Sequence, residues 1–211
     1  MSRRRPGSLW VLEGLDGAGT TTQSRLLAEA LRRQGRRVHL TAEPSGGPVG
    51  ALVRQVLTRR VASPGGEFDP HALALLFAAD RLDHHAAEIA PRLARGEDVV
   101  SDRYTLSSLA YQSLTTGDAR WVEALNRRAP APTATLFLRV RPAVAWRRRF
   151  AESGGGELYE VPAFQRRVAR SYERSLAVLR RQGQEVLVLD GERPVEEVAG
   201  AVLAAAGGRP A

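Results

Sequence analysis

A short apolar run, Leu9 to Glu13, leads directly into Gly14-Leu-Asp-Gly-Ala-Gly-Thr-Thr-Thr-Gln23. The spacing matches G-x-x-x-x-G-K-[ST] at every defined position but one, where Thr20 stands in place of the lysine. Glycines in such a loop let successive backbone N–H groups face a chain of phosphates, and the helix that follows adds its positive N-terminal end. Neither contribution needs the lysine. What is forfeited is a cation between the β- and γ-phosphates, because threonine donates a hydrogen bond but carries no charge. A Gly-rich strand-to-helix turn that binds nothing would satisfy the degenerate match equally well, so other segments must decide.

Four further segments carry chemistry. Thr41-Ala-Glu43-Pro44 is followed by Gly50-Ala-Leu-Val-Arg54, then Leu76-Phe77-Ala-Ala-Asp80-Arg81, then Asp102-Arg103-Tyr104 with Ser107-Ser108-Leu-Ala-Tyr111-Gln112. Positions four apart share a helix face, so Phe77 and Arg81 can offer an aromatic plate and a planar donor to one ligand; alone, Phe77 reads as a core aromatic. Asp102 would close a buried strand beside the first, where an acidic group can hold a magnesium shell; the alternative is a local Asp102–Arg103 ion pair. In this order the segments resemble the thymidylate kinase family, whose patterns read T-R-E-P, G-x-x-I-R, L-F-x-A-D-R and D-R-Y-x-x-S-x-x-A-Y-Q. Leu136 to Pro142 is similar to the family's L-x-L-D-V-x-P, Glu157-Leu-Tyr-Glu160 to D-R-F-E, and Phe164 to Tyr172 to F-x-x-R-V-x-x-x-Y. The chain departs from these patterns at Ala42, Arg139 and Leu158 as well as at Thr20. The resemblance runs from about Leu9 to Val202.

The resemblance implies phosphoryl transfer from ATP to dTMP, giving dTDP and ADP in dTTP biosynthesis, with Mg²⁺ accompanying the ATP. ATP falls to Gly14, Asp16, Gly17, Ala18, Gly19, Thr20, Thr21 and Thr22, and Mg²⁺ to Thr21 and indirectly Asp102. Phe77 would stack on thymine, Arg81 would donate to a base carbonyl, Ser108 would meet the base edge and Tyr111 the sugar. Arg103, helped by Arg54, would clamp the acceptor phosphate, Asp16 would hold the 3′-hydroxyl, and Tyr172 would approach the deoxyribose. Glu43, Ser107 and Gln112 complete the substrate set. The missing lysine's charge would come from Arg147, Arg148 or Arg149, which precede the glycine-rich Glu152 to Glu157. A lid over about 147–160 and an ordinary surface loop are both open readings of that segment. The rival functions are a weak or silent nucleotide-binding relative and a kinase for another nucleoside monophosphate. The family implies a homodimer.

These residues need a frame. Apolar runs at Leu9–Leu12, Val38–Thr41, Val99–Ser101, Thr135–Val140 and Val186–Leu189 alternate with helical patterns, which predicts an α/β fold with a parallel sheet. The expected architecture is a three-layer P-loop kinase fold with five strands and helices on both faces. A helix through Gln23, Leu27 and Leu31 should stop at Gly35, another should start at Asp69-Pro70 and end or kink at Pro91, and Pro194 should open the last. The expected organisation is a basic tail over 1–8 and one kinase domain over 9–206. With 211 residues, 43% hydrophobic, the chain suits one full core. No cysteine is present, which excludes disulfides, thiolate metal sites and cysteine nucleophiles and fits a cytoplasmic enzyme. No stretch reads as a membrane span. The formal charge of +8, mostly arginine, favours anionic partners; the arginines are scattered without interleaved aromatics, so nothing local supports a nucleic-acid reader.

Overall fold

The computed structural model describes residues 6–63, 65–153 and 162–207, with backbone alone at 150–153. Glu157 to Glu160 and most of the glycine-rich segment lie outside the described residues.

The five strands are β1 (Leu9–Gly14), β2 (Val38–Ala42), β3 (Asp98–Asp102), β4 (Ala134–Arg139) and β5 (Val186–Asp190). All pairings are parallel, in the order β2-β3-β1-β4-β5. Every residue of β1 is buried, as expected of a central strand covered on both faces, and this is why it reads as a continuous apolar run. The strand order reverses at β1, so the crevice at its C-terminal end is where an open α/β sheet places ligands. The register pairs Leu12 with Asp102 and Gly14 with Leu138. This sets the glycine loop beside Asp102-Arg103 and leads β4 into the helix that overhangs it.

The helices are α1 (Thr20–Arg33), α2 (Pro48–Leu57), α3 (Pro70–His84), α4 (Ala90–Ala94), α5 (Thr105–Thr116), α6 (Ala119–Asn126), α7 (Pro142–Ser153), α8 (Pro162–Arg181) and α9 (Val195–Ala205). On one face of the sheet α1 packs against α9, and on the other α5 packs against α8. Leu27 and Leu31 of α1, Leu106 and Leu109 of α5 and Val168 and Leu176 of α8 join Leu12, Leu136 and Leu138 in the main core. Helix starts follow the expected chemistry: Asp69 accepts from Ala72 N–H at 2.8 Å ahead of Pro70. At Pro91 the helix is distorted rather than ended. The helix neither ends nor breaks there; α3 passes into a π-turn over His85–Ile89 and continues as α4 through Pro91 to Ala94. Proline lacks an N–H, and a wider turn immediately before it takes up the lost bond without stopping the helix.

Candidate active site

Two adjoining cavities open at the C-terminal end of β1, and Asp16 and Arg103 line both. The first, about 240 Å³, is built on the loop after β1, from Asp16, Gly17, Gly19 and Thr20 to Thr22, with Arg149 across from them. Gly19 caps α1 at φ 92° without any side-chain bond, so the first N–H groups of the helix keep the polarity that attracts an anion. At Gly17, φ is 84° and an added Cβ would fall 2.1 Å from the Ala145 carbonyl oxygen and 3.0 Å from Arg149 Cβ. Only glycine lets α7 press this closely on the loop. Ala18 is buried in the core instead, and Gly14 contributes its carbonyl rather than a cavity wall.

The three arginines separate here. Arg149 reaches the loop cavity, Arg148 donates to the Gly191 carbonyl at 2.8 Å, and Arg147 is exposed and lines neither cavity. Thr20 is buried as the first residue of α1, with its methyl turned toward Gly14. Thr21 hydroxyl donates to Asp102 Oδ2 at 2.5 Å, while Asp102 Oδ1 is buried with no hydrogen-bond partner. A hydroxyl and a carboxylate with spare lone pairs, beside a phosphate-sized cavity, suit a hard cation that keeps several waters and phosphate oxygens. Among the described residues no three His, Cys, Asp or Glu side chains form a self-sufficient metal cage.

The second cavity, about 140 Å³, brings together Asp16, Glu43, Phe77, Arg81, Arg103, Ser107, Ser108, Tyr111 and Gln112 from four separate stretches of chain. Pro44, Leu57 and Tyr104 supply further apolar wall. Two residues of the expected set are absent. Arg54 is exposed and donates to the carbonyls of Pro44 (2.8 Å) and Ser45 (2.5 Å), bracing the loop after β2. Tyr172 lines neither cavity: its side chain is fully buried against Phe137, with ring centroids 5.1 Å apart, and its hydroxyl comes up beneath Arg103.

Arg103 is the centre of this cavity. Its backbone sits at φ 76°, in the left-handed region, as the chain turns from β3 into α5. Arg103 Nη1 donates to the Gly14 carbonyl (3.2 Å), Ser107 Oγ (3.0 Å) and Tyr172 hydroxyl (3.2 Å), while Nη2 binds Asp16 Oδ1. Asp16 Oδ2 accepts in turn from Tyr111 hydroxyl (2.9 Å) and Gln165 Nε2 (3.0 Å). Burial opposes the guanidinium's charge, but Asp16 with Tyr172, Tyr111 and Asp102 together outweigh it and hold Arg103 firmly cationic. Burial, with Asp16 adding to it, likewise keeps the Tyr111 hydroxyl protonated.

Arg81 is held as tightly, at 1% exposure, with Nη2 2.7 Å from Glu43 Oε2 and 3.1 Å from the Tyr104 carbonyl, and Nη1 on Asn126 Oδ1. Arg81 Nε and Ser108 Oγ are buried without partners in residues that line the cavity, which is the state expected of groups reserved for a ligand. Phe77 is half-buried, with a face left to the cavity. Asn126, Gln165 and Glu13 were not legible as site residues. Glu13 alone carried a signal, since a carboxylate inside a buried strand needs partners. Arg139 forms a two-bond pair with Glu173 at 2.9 and 2.8 Å, both half-exposed and lining neither cavity, so arginine is tolerated there as a surface pair.

Comparison with known proteins agrees with this geometry. The family model described as thymidylate kinase matches residues 12–202. A probable thymidylate kinase of Pyrobaculum aerophilum is 41% identical over 89% of this chain and 90% of its own. The thymidylate kinase of Dinoroseobacter shibae is 37% identical, covering 95% and 96% of the two chains, and that of Leifsonia xyli subsp. xyli is 36% identical over 97% of each.

Proposed function

The chain belongs to the thymidylate kinase family, and from that premise we propose how its own residues carry the reaction, the transfer of a phosphoryl group from ATP to dTMP. The observation that carries the assignment of roles is the wall common to the two cavities. Asp16 and Arg103 line both the loop that suits a triphosphate and the pocket that suits a nucleotide acceptor. A phosphoryl group exchanged between the two passes their side chains, and such a reaction asks for positioning and cations rather than a covalent intermediate.

On the donor side, N–H groups from Gly17 to Thr22 hold the ATP phosphates, and Arg149 supplies the positive charge that Thr20 cannot. Thr21 and Asp102 would hold Mg²⁺, which neutralises phosphate charge when bound. On the acceptor side, Phe77 stacks on the base, Arg81 and Ser108 offer their unpartnered atoms to its edge, and Asp16 accepts from the 3′-hydroxyl beside Tyr111. Arg103 clamps the acceptor phosphate. In this conformation Arg54 is bound to backbone carbonyls and reaches the phosphate only by leaving them.

The reading takes 9–206 as one kinase domain, working in the cytoplasm as a homodimer. No helix among the described residues is long and apolar enough to cross a membrane. Leu52 on α2 and Leu75 and Leu82 on α3 are exposed, and they offer the apolar face on which two copies would close. A coupled assay of dTMP, dUMP, AMP, GMP and CMP with MgATP tests the acceptor assignment. We expect dTMP to be turned over best and dUMP more weakly; AMP or GMP turned over as well as dTMP would overturn the base-site roles.

A further inference from the structure

Glu13, the penultimate residue of β1, is fully buried and belongs to neither cavity wall. Its partners explain why a carboxylate is tolerated there. Helix α5 begins after Tyr104, which provides no side-chain cap. Glu13 provides one from a different element: Oε1 accepts the N–H groups of Tyr104 (2.9 Å) and Ser107 (3.0 Å). The last turn of β1 into the phosphate loop is thereby tied to the helix that carries Ser107, Ser108, Tyr111 and Gln112. The second oxygen does something else. Oε2 accepts from Ser107 Oγ at 2.5 Å and lies 3.5 Å from Tyr172 hydroxyl, and these same two hydroxyl oxygens accept from Arg103 Nη1.

We propose that Glu13 is a positioning residue for the acceptor-phosphate clamp, acting on Arg103 through the Ser107 hydroxyl. As a carboxylate, Glu13 draws the Ser107 hydrogen to itself and leaves that oxygen's lone pairs to hold the guanidinium. When Glu13 takes up a proton it can only donate toward Ser107 or Tyr172. A proton donated to Ser107 Oγ occupies one of its lone pairs and sends the Ser107 hydrogen to the Tyr172 hydroxyl, 3.0 Å away, or toward Arg103, so the two oxygens that accept from the guanidinium have less to offer it and the clamp is weakened. No atom is transferred to substrate; the proton stays within this cluster or returns to solvent.

The charged and titratable groups around Glu13 are Arg103 from the β3–α5 turn, Tyr104 at the start of α5, Tyr172 from α8 and, beyond Arg103, Asp16 and Tyr111. Burial holds Tyr104, Tyr111 and Tyr172 protonated throughout the working range. Burial also raises the Glu13 carboxyl from 4.5 to about 7, against the lowering pull of Arg103. The sign follows: Glu13 is ionised and the clamp is braced above that value, and the brace is lost as pH falls through it.

The inference rests on the reading that Arg103 binds the dTMP phosphate. The test is the dissociation constant of dTMP alone, by calorimetry from about pH 6 to about pH 9, for wild type, Glu13→Gln and Ser107→Ala. The amide keeps one oxygen for the two helix N–H groups but must donate toward Ser107, so it mimics the protonated state and leaves the cap intact. Titration of dTMP itself is common to all three proteins and cancels in their ratio. We expect wild-type affinity relative to either variant to rise with pH through about 7, by on the order of tenfold, with ADP affinity equal in all three. A ratio that does not change with pH, or an ADP affinity that falls in step with that for dTMP, overturns the proposal. If Glu13→Gln does not fold, Ser107→Ala decides alone, and a profile parallel to wild type is fatal. Wild type failing to bind dTMP at any pH overturns the dTMP reading itself, and the proposal with it.

Discussion

On the acceptor side, Arg103 and Arg81 each sit among several buried or half-buried partners drawn from separate elements; on the donor side, Arg149 projects from α7, the helix pressed against Gly17. The donor loop otherwise works with backbone N–H groups, which need no side chain to aim them. A pocket that must distinguish one base and one sugar from close relatives benefits from donors whose directions are set in advance, because a mismatched ligand then leaves buried groups unpaired. A triphosphate offers many equivalent oxygens and asks chiefly for charge. On the proposed roles, the missing lysine is a loss that Arg149 of a neighbouring helix offsets, whereas a change at Arg81 or Arg103 would have no such substitute.

The comparison can be broken most severely at Arg149. We expect Arg149→Ala to lower turnover by on the order of 10³-fold, the scale of an arginine finger, while ATP affinity falls much less. Steady-state turnover and ATP binding measured separately would show it, and Thr20→Lys in the same background should recover part of the loss. Turnover within a few-fold of wild type would remove Arg149 from the donor side. Next in size is Arg103→Ala, for which we expect KM for dTMP to rise and kcat to fall, on the order of 10²-fold together in kcat/KM, since this clamp both binds and orients. A change in KM alone would make Arg103 a binding group only. The smallest effect sharpens the claim of preset donors. Asn126→Ala leaves Arg81 in place but unheld on one side, and should cost about tenfold in kcat/KM for dTMP while narrowing its advantage over dUMP. Equal losses for every acceptor would make Asn126 a stability residue.

Local features were legible because their causes are local. The loop from Gly14 to Thr22, its strand and its helix need only residues adjacent in sequence, and the same holds for the Asp69-Pro70 helix start and the five strands. Phe77 with Arg81, and Ser107 with Ser108 and Tyr111, could be grouped because a helix repeats every 3.6 residues. The resemblance supplied their ligand.

What the chain's order alone determined, then, is an α/β fold with a phosphate loop and an acceptor set. Only packing decided which of Arg147, Arg148 and Arg149 meets the loop: successive helix positions point about 100° apart, so one at most can face a given site, and the close approach of α7 to Gly17 selects Arg149. Packing also set the Tyr172 hydroxyl beneath Arg103, and it brought Asn126 to Arg81 across 45 positions of sequence and Glu13 to Ser107 across 94. Those roles are hydrogen bonds between residues far apart in the chain, made where the sheet and helices converge, and no periodicity or spacing rule reaches that far.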